Sequence, residues 1–257
     1  MDENKLLDKI LSIAKEAGSE IKNKRDFKVK EKGNDAANIV TTMDIKIQNM
    51  VLNQLKELLP EASFYAEEND VRQMNDGYVW VVDPIDGTTN YAYDLKCSCI
   101  SIALLYQKEG YIGVIYNPYL DECFYAINGK GAYLNGEKIS VSQHDIHNSL
   151  FCMGTTPYNK AMADQTFEKM KRLFLIGRDV RRSGSAAIDL CNLAAGRYDG
   201  FYECALAPWD YAAGAIIIKE AGGIIETMAP YTWGYDGSIT IIAGNKNNIN
   251  ELKELLK

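Results

Sequence analysis

The sequence predicts an α+β half followed by an α/β half, and three observations carry that prediction. Two amphipathic helical patterns open the chain, over residues 5–21 and again beyond Asp44. From Ser63 the period changes to that of strands, with Glu109-Gly110 and Asn117-Pro118 placed as turns between successive apolar runs, the pattern of an antiparallel meander. Beyond the polar stretch 140–149, helical and strand patterns alternate. That stretch is the candidate boundary between an N-terminal α+β domain, residues 1–140, and a C-terminal α/β domain, residues 141–257. A chain of 257 residues buries roughly three quarters of its unfolded surface, enough for a core without disulfide or metal staples.

The elements follow in order. Leu7, Ile10, Leu11, Ala14 and Ala17 share one face of the first helix. A Lys-rich loop is expected over residues 28–38. Next, Ile39-Val40-Thr41-Thr42-Met43-Asp44 leads into a helix that ends before Pro60, with Thr41 and Asp44 at capping-box spacing. Tyr78-Val79-Trp80-Val81-Val82 is a short run of β-formers, read as a fully buried strand. Residues 99–106, 111–116 and 122–127 supply three more, and Gly129, Gly131 and Gly136 punctuate a further hairpin. In the second half, helices are expected over 162–174, 185–195 and 211–221, the last two stopped by Gly196 and by Gly222-Gly223. Strands are expected near Val180, near Phe201 and over 239–243.

Composition narrows the function classes. Hydrophobic residues are 47% and charged residues 25% of the chain, ordinary for a globular protein. The net charge of −7 argues against a broad nucleic-acid-binding face, which must neutralise phosphates. It leaves room for a small phosphorylated substrate, because a bound cation reverses the local sign. The charged start MDENKLLDKI has no signal-peptide core, and the apolar runs at 99–105 and 212–218 are too short to span a bilayer. Six cysteines without a C-x-x-C pair fit reduced, buried thiols. A cytoplasmic protein, with neither membrane nor nucleic acid as a partner, is expected.

The chemistry concentrates in Trp80-Val81-Val82-Asp83-Pro84-Ile85-Asp86-Gly87-Thr88-Thr89-Asn90. A buried strand runs into Asp83, turns at Pro84 and presents Asp86; Gly87 permits close backbone approach, and Thr88-Thr89 open a helix whose free amides suit an anion. Two carboxylates about 4 Å apart repel by about 4 kcal/mol at an effective dielectric near 20, so such a pair calls for a cation. Carboxylate and carbonyl oxygens suit Mg2+, which keeps waters and bridges to phosphate.

These residues resemble the inositol monophosphatase family of Mg2+-dependent, lithium-sensitive phosphatases. The Asp83-Pro84-Ile85-Asp86-Gly87-Thr88-x-Asn90 signature is matched in full. So is the later Trp209-Asp210-x-Ala212-Ala213, which continues to Glu220-Ala221-Gly222-Gly223. The resemblance implies a layered α/β/α/β/α sandwich of the inositol monophosphatase / fructose-1,6-bisphosphatase type, two or three Mg2+ ions per active site, and a homodimer. It places the metal ligands on Glu67, Asp83, the Ile85 carbonyl, Asp86 and Asp210. It pairs Thr88 with Asp44 as the catalytic threonine and its acidic partner; with Glu68 they orient a metal-activated water that attacks phosphorus. It places the substrate on Asp86, Gly87, Thr88, Gly184, Ser185, Ala186, Glu203 and Asp210. Ala66, where the family commonly has Gly before its Glu-Glu pair, is a mild departure. Taken singly, Asp44 reads as a helix cap, Glu67-Glu68 as a solvated acidic pair and Asp210 as a carboxylate favoured by a helix dipole. Their conjunction makes them a metal site.

The implied activity is a phosphomonoesterase acting on myo-inositol 1-phosphate or a similar small polyol phosphate. The run Tyr91-Ala92-Tyr93-Asp94-Leu95-Lys96 departs from the family, and Arg178, Arg181 and Arg182 form a basic cluster able to hold a second phosphate. These features keep alternatives open: fructose 1,6-bisphosphate, 3′-phosphoadenosine 5′-phosphate, histidinol phosphate or NADP. A third reading is a regulatory binding protein that kept the fold and lost catalysis; the complete carboxylate set argues against it. His144-Asp145-Ile146-His147 reads as a surface segment rather than a metal pair, and the many tyrosines as core and rim rather than base-stacking platforms.

Overall fold

The computed structural model describes residues 2–23, 27–32, 35–68 and 71–257. The chain begins with α1 (Glu3–Asn23), a hairpin of β1 (Val29–Lys32) and β2 (Asp35–Thr41), and α2 (Thr42–Leu58). Residues 28–38, expected as a loop, thus contribute to a ladder that registers Val29 with Thr41 and Glu31 with Ile39. Its outward charged residues masked a strand pattern that cross-strand pairing supplies. Strands β3 (Ser63–Ala66) and β4 (Tyr78–Asp86) follow, then the short α3 (Thr88–Ala92). The meander comes next: β5 (Cys99–Tyr106), β6 (Glu109–Asn117), β7 (Glu122–Ile127), β8 (Ala132–Leu134) and β9 (Glu137–Ile139). Strands β3 to β9 form a seven-stranded sheet in sequence order, antiparallel except for the β3–β4 pair.

The second half holds β10 (Leu150–Met153), α4 (Ala163–Ile176), β11 (Asp179–Arg181), α5 (Ala186–Ala194), β12 (Gly200–Leu206) and α6 (Pro208–Glu220). It ends with β13 (Ile224–Thr227), β14 (Ile239–Gly244) and α7 (Ile249–Leu255). Its five-stranded sheet runs β11-β10-β12-β14-β13, with β10 parallel to both its neighbours.

Five layers result, as the resemblance implied. Helices α1 and α2 cover the outer face of the large sheet, α5 and α6 lie between the two sheets, and α4 and α7 cover the outer face of the small one. The two-sided burial is written into β4 with a period of two: Val79 and Val81 face the α5–α6 layer, while Trp80 and Val82 face α1 and α2. β5 repeats the pattern, with Ala103 and Leu105 inward and Ile102 and Leu104 outward. The α5–α6 layer therefore meets apolar residues from both halves. α6 is apolar around its circumference, with Tyr211, Ala212, Ala213, Ala215 and Ile217 all fully buried. All six cysteines are unpaired, and all but Cys97 are buried. Among the described residues no helix is long and apolar enough to cross a membrane.

Candidate active site

Where β4 ends against α3, α5 and α6, a cavity of about 640 Å³ opens between the two halves. Glu67, Asp83, Ile85, Asp86, Gly87, Thr88, Gly184, Ser185, Ala186, Glu203 and Asp210 all line it. Sequence reasoning had these residues in one site, and the fold brings them together from five separate stretches. Asp44 and Glu68 stand behind the wall.

Each acidic side chain is held by a local device. Asp83 Oδ1 accepts the Ile85 N–H at 2.9 Å, closing the turn at Pro84. Asp86 Oδ2 accepts the Ala187 N–H at 2.8 Å and the Ser185 hydroxyl, so the first turn of α5 fixes it from the other half of the chain. Asp210 Oδ2 accepts the Ala207 N–H at 2.7 Å at the start of α6. One oxygen each of Asp83, Asp86 and Asp210 lie within 4.8 Å of one another. Burial pushes all three carboxyls above the usual range, and mutual repulsion adds to it: on Asp83 from Glu67, Asp86 and Asp210, on Asp210 from Asp86 and Glu67. Buried, hard-oxygen donors that repel one another are what a divalent cation of the Mg2+ type requires. Ile85 lines the same cavity, and its carbonyl lies 3.1 Å from Thr88 Oγ1.

Asp44 serves two masters. Its Oδ2 closes the capping box at the start of α2, accepting the Thr41 N–H at 2.8 Å and the Thr41 hydroxyl at 2.5 Å. Its Oδ1 accepts the Thr88 hydroxyl at 2.9 Å. The cap and the candidate catalytic contact thus use opposite oxygens of one fully buried carboxylate, whose acidity burial weakens. The backbone at Gly87 has φ 88°, and a Cβ there would lie 3.0 Å from the Cys97 carbonyl, so any side chain would be both strained and crowded. α3 is five residues long, so what it offers an anion is free amide groups rather than a macrodipole.

Lys32, from the β1–β2 hairpin, is a residue that the sequence motifs do not point to. Its Nζ lies 2.6 Å from Glu67 Oε1 and 2.6 Å from Glu68 Oε1. Burial alone would lower the ammonium, but the two glutamates outweigh it and hold the group above the ordinary lysine range. Glu68 is further fixed through its backbone, which exchanges two 2.8 Å hydrogen bonds with Gln48 of α2. We expect Lys32→Gln to lower the unfolding free energy of the metal-free protein by about 1–2 kcal/mol, because two neighbouring carboxylates lose their shared cation. A urea midpoint unchanged from wild type would show that the tether contributes nothing.

Glu203, Gly154, Asp189, Arg182 and Tyr158 also line the cavity. Glu203 comes from β12 and passes so close to Gly154 that any Cβ there would overlap its carboxyl. Burial pushes the Glu203 carboxyl up to about 8, with Asp189 and Asp86 adding repulsion and Arg182 opposing it. The arginine cluster does not assemble on the cavity: Arg178 Nη2 bonds Asn148 at 3.2 Å and Arg181 pairs with Asp179. Only Arg182 lines the wall, anchored by Nε to Thr155 Oγ1 at 2.9 Å. His144 contacts Asp199 at 2.9 Å, and neither residue lines the cavity. Tyr93, from the departing 91–96 run, is at the rim and largely exposed.

Comparison with known proteins places this geometry. The model of the "Inositol monophosphatase family" matches residues 2–256. "Inositol monophosphatase 2" of Solanum lycopersicum is 38% identical over 229 residues, covering 85% of this chain and 86% of the relative. "Nus factor SuhB" of Escherichia coli strain K12 is 35% identical over 230 residues, covering 85% of each. The solved inositol monophosphatase of Anabaena sp. superposes with a TM-score of 0.86 at 32% identity, covering 100% of this chain and 96% of its own. With its whole length matched, its five layers shared and its carboxylates gathered at one cavity, this chain belongs to the inositol monophosphatase family, a family of phosphatases.

Proposed function

We propose that the protein is a Mg2+-dependent phosphomonoesterase that hydrolyses myo-inositol 1-phosphate or a closely similar polyol phosphate to the free alcohol and inorganic phosphate. The observation that carries the reading is the convergence of Asp83, Asp86 and Asp210 within 4.8 Å in a cavity that Glu203 also lines. Glu67, Asp83, the Ile85 carbonyl, Asp86 and Asp210 would hold the ions. Bound there, Mg2+ lowers the pKa of water and neutralises charge on the phosphoryl oxygens.

The protein's own part is positioning. Thr88 Oγ1 directs its proton to Asp44 Oδ1, which leaves its lone pairs to accept a hydrogen bond from a water and so orient that water's free pair toward phosphorus. Glu68 does not line the cavity, and its proposed share in orienting that water runs through Glu67 and Lys32. Gly87 and Thr88 offer backbone amides to the phosphoryl oxygens. Gly184, Ser185 and Ala186 shape the alcohol end, and Glu203 accepts hydrogen bonds from hydroxyls of the departing alcohol. Little covalent work falls to the protein, since positioning and electrostatics supply most of the acceleration in phosphoryl transfer.

The dispersal of Arg178 and Arg181 onto other partners favours a monophosphate over a bisphosphate. Rates of phosphate release with Mg2+ should therefore be compared for inositol 1-phosphate, fructose 1,6-bisphosphate, 3′-phosphoadenosine 5′-phosphate, histidinol phosphate and NADP. The highest kcat/KM is expected for inositol 1-phosphate, and a bisphosphate leading the series would overturn the substrate assignment while leaving the carboxylate site intact. We infer a homodimer from the family resemblance, to be read from the mass in solution.

A further inference from the structure

Asn90, in the short helix α3, is buried, and both protons of its amide are committed. Nδ2 donates to the Cys97 carbonyl at 2.6 Å and, 93 residues along the chain, to the Ser183 carbonyl at 3.0 Å. Carbonyls only accept, so the nitrogen must face them and the amide has one orientation. The segments it ties are those that crowd the turn at Gly87. A Cβ on Gly87 would lie 3.0 Å from the Cys97 carbonyl and 3.3 Å from the Gly184 carbonyl. Gly184 has φ 85°, and a Cβ there would lie 3.1 Å from both polar atoms of the Asn90 side chain. From Ser183 the connection runs on to the carboxylate site. Ser183 Oγ donates to the Ser185 carbonyl and accepts the Ser185 N–H, each at 3.0 Å, and the Ser185 hydroxyl donates to Asp86. The segment entering α5 is therefore pinned to the first half of the chain at two points, Asn90 and Asp86.

We propose that Asn90 is a positioning residue: by holding the Ser183 carbonyl against α3, it sets the placement of the alcohol-binding segment Gly184–Ala186 relative to the phosphoryl-binding turn Gly87–Thr88. The proposal rests on the polyol-phosphate reading and adds to it that one side-chain amide aligns the two ends of the substrate across the two halves of the fold. Asn90 acts through its neighbours, since both its donors are spent on backbone carbonyls. Without it the Asp86 anchor survives, because Ser185 and Ala187 still bond that carboxylate. Loss of the amide should thus loosen the alcohol side and spare the carboxylate cluster.

The test compares two esters at saturating Mg2+. Asn90→Ala is expected to lower kcat/KM for inositol 1-phosphate about tenfold, mainly through KM, because a misplaced wall weakens alignment. For p-nitrophenyl phosphate, whose leaving phenol offers no further hydroxyl to that wall, kcat/KM should stay within about twofold. The Mg2+ concentration giving half-maximal rate should also stay within about twofold, since Asp86 keeps its bonds. Asn90→Ser has one donor, which can serve at most one of the two carbonyls; it should show a smaller loss of the same kind, and it carries the test if alanine fails to fold. Equal losses on the two esters would mark a merely structural role, and that result, or an unchanged KM for inositol 1-phosphate, overturns the proposal. Failure of the wild type to hydrolyse inositol 1-phosphate would instead overturn the substrate reading, and the same comparison made with the leading ester of the series would then decide on Asn90.

Discussion

Asp83→Asn is expected to lower kcat for phosphate release by at least about 10³ and, in the same molecule, to raise the unfolding midpoint of the metal-free protein. The two effects share one cause. Asp83 lies with Asp86 and Asp210 within 4.8 Å, where each ionised pair repels by about 3–4 kcal/mol at an effective dielectric near 20. Asparagine keeps the shape and can still accept the Ile85 N–H, so the turn at Pro84 survives. It removes one negative charge from a buried cluster, which stabilises the empty site, and one charged ligand from the set, which weakens its hold on a divalent cation. Relief of only about 1–2 kcal/mol, after partial protonation has softened the repulsion, raises the midpoint by about 2–8 °C in a protein of this size. The comparison needs steady-state kinetics with Mg2+ and a melt in chelator. A variant with kcat within tenfold of wild type, or with a lower midpoint, would contradict the account of Asp83.

The second large effect is on pH. Without metal, the site groups have folded-state pKa values above those of the unfolded chain: burial, reinforced by neighbouring carboxylates, raises Asp83 and Asp210, holds Asp189 at about 6 and Glu203 at about 8. A carboxyl raised on folding binds protons more tightly in the native state, so its contribution to stability is complete below about pH 4, its unfolded value, and is lost as pH rises through its folded value. The metal-free protein should therefore lose stability between about pH 5 and pH 8, each such group contributing a slope of at most about 1.4 kcal/mol per pH unit. Mg2+ binds the ionised carboxylates, opposing their protonation, so the slope owed to Glu67, Asp83, Asp86 and Asp210 should flatten, leaving that of Asp189 and Glu203. At a hundredfold excess over its dissociation constant, the ion adds about 2.7 kcal/mol. Urea midpoints at a series of pH values, with Mg2+ and with chelator, read both curves. Parallel curves would show that the cation does not bind the raised carboxylates.

How much of this was legible beforehand differs by element. The strand into Asp83, the meander and the α5 and α6 helices could be read because their apolar residues repeat on faces that the fold buries. The β1–β2 hairpin could not: its exposed Val29, Lys30 and Glu31 carry no inward stripe, and only cross-strand pairing with β2 makes it a strand. Strands β10 and β13 and helix α7 were too short to show a period, and their form comes from docking on β12, β14 and α4. At the site, the ligand motifs were plain because carboxylates follow a buried strand and open a helix. Lys32 was hidden among many lysines, since only tertiary structure swings it onto Glu67 and Glu68. Asp189 left a trace that reading by motif passed over, a lone acid within the apolar run Ala186-Ala187-Ile188-Asp189-Leu190. Arg178 and Arg181 show the converse: within four residues of Arg182 in sequence, they point to other partners in space.

The measurement that bears most directly on the central claim is phosphate release from inositol 1-phosphate by chelator-stripped protein as Mg2+ is titrated back. The account predicts no release above background before the first addition and a saturable rise afterwards, absent at every Mg2+ concentration in Asp83→Asn. Release that is already full in the stripped protein, or none at saturating Mg2+, would contradict it.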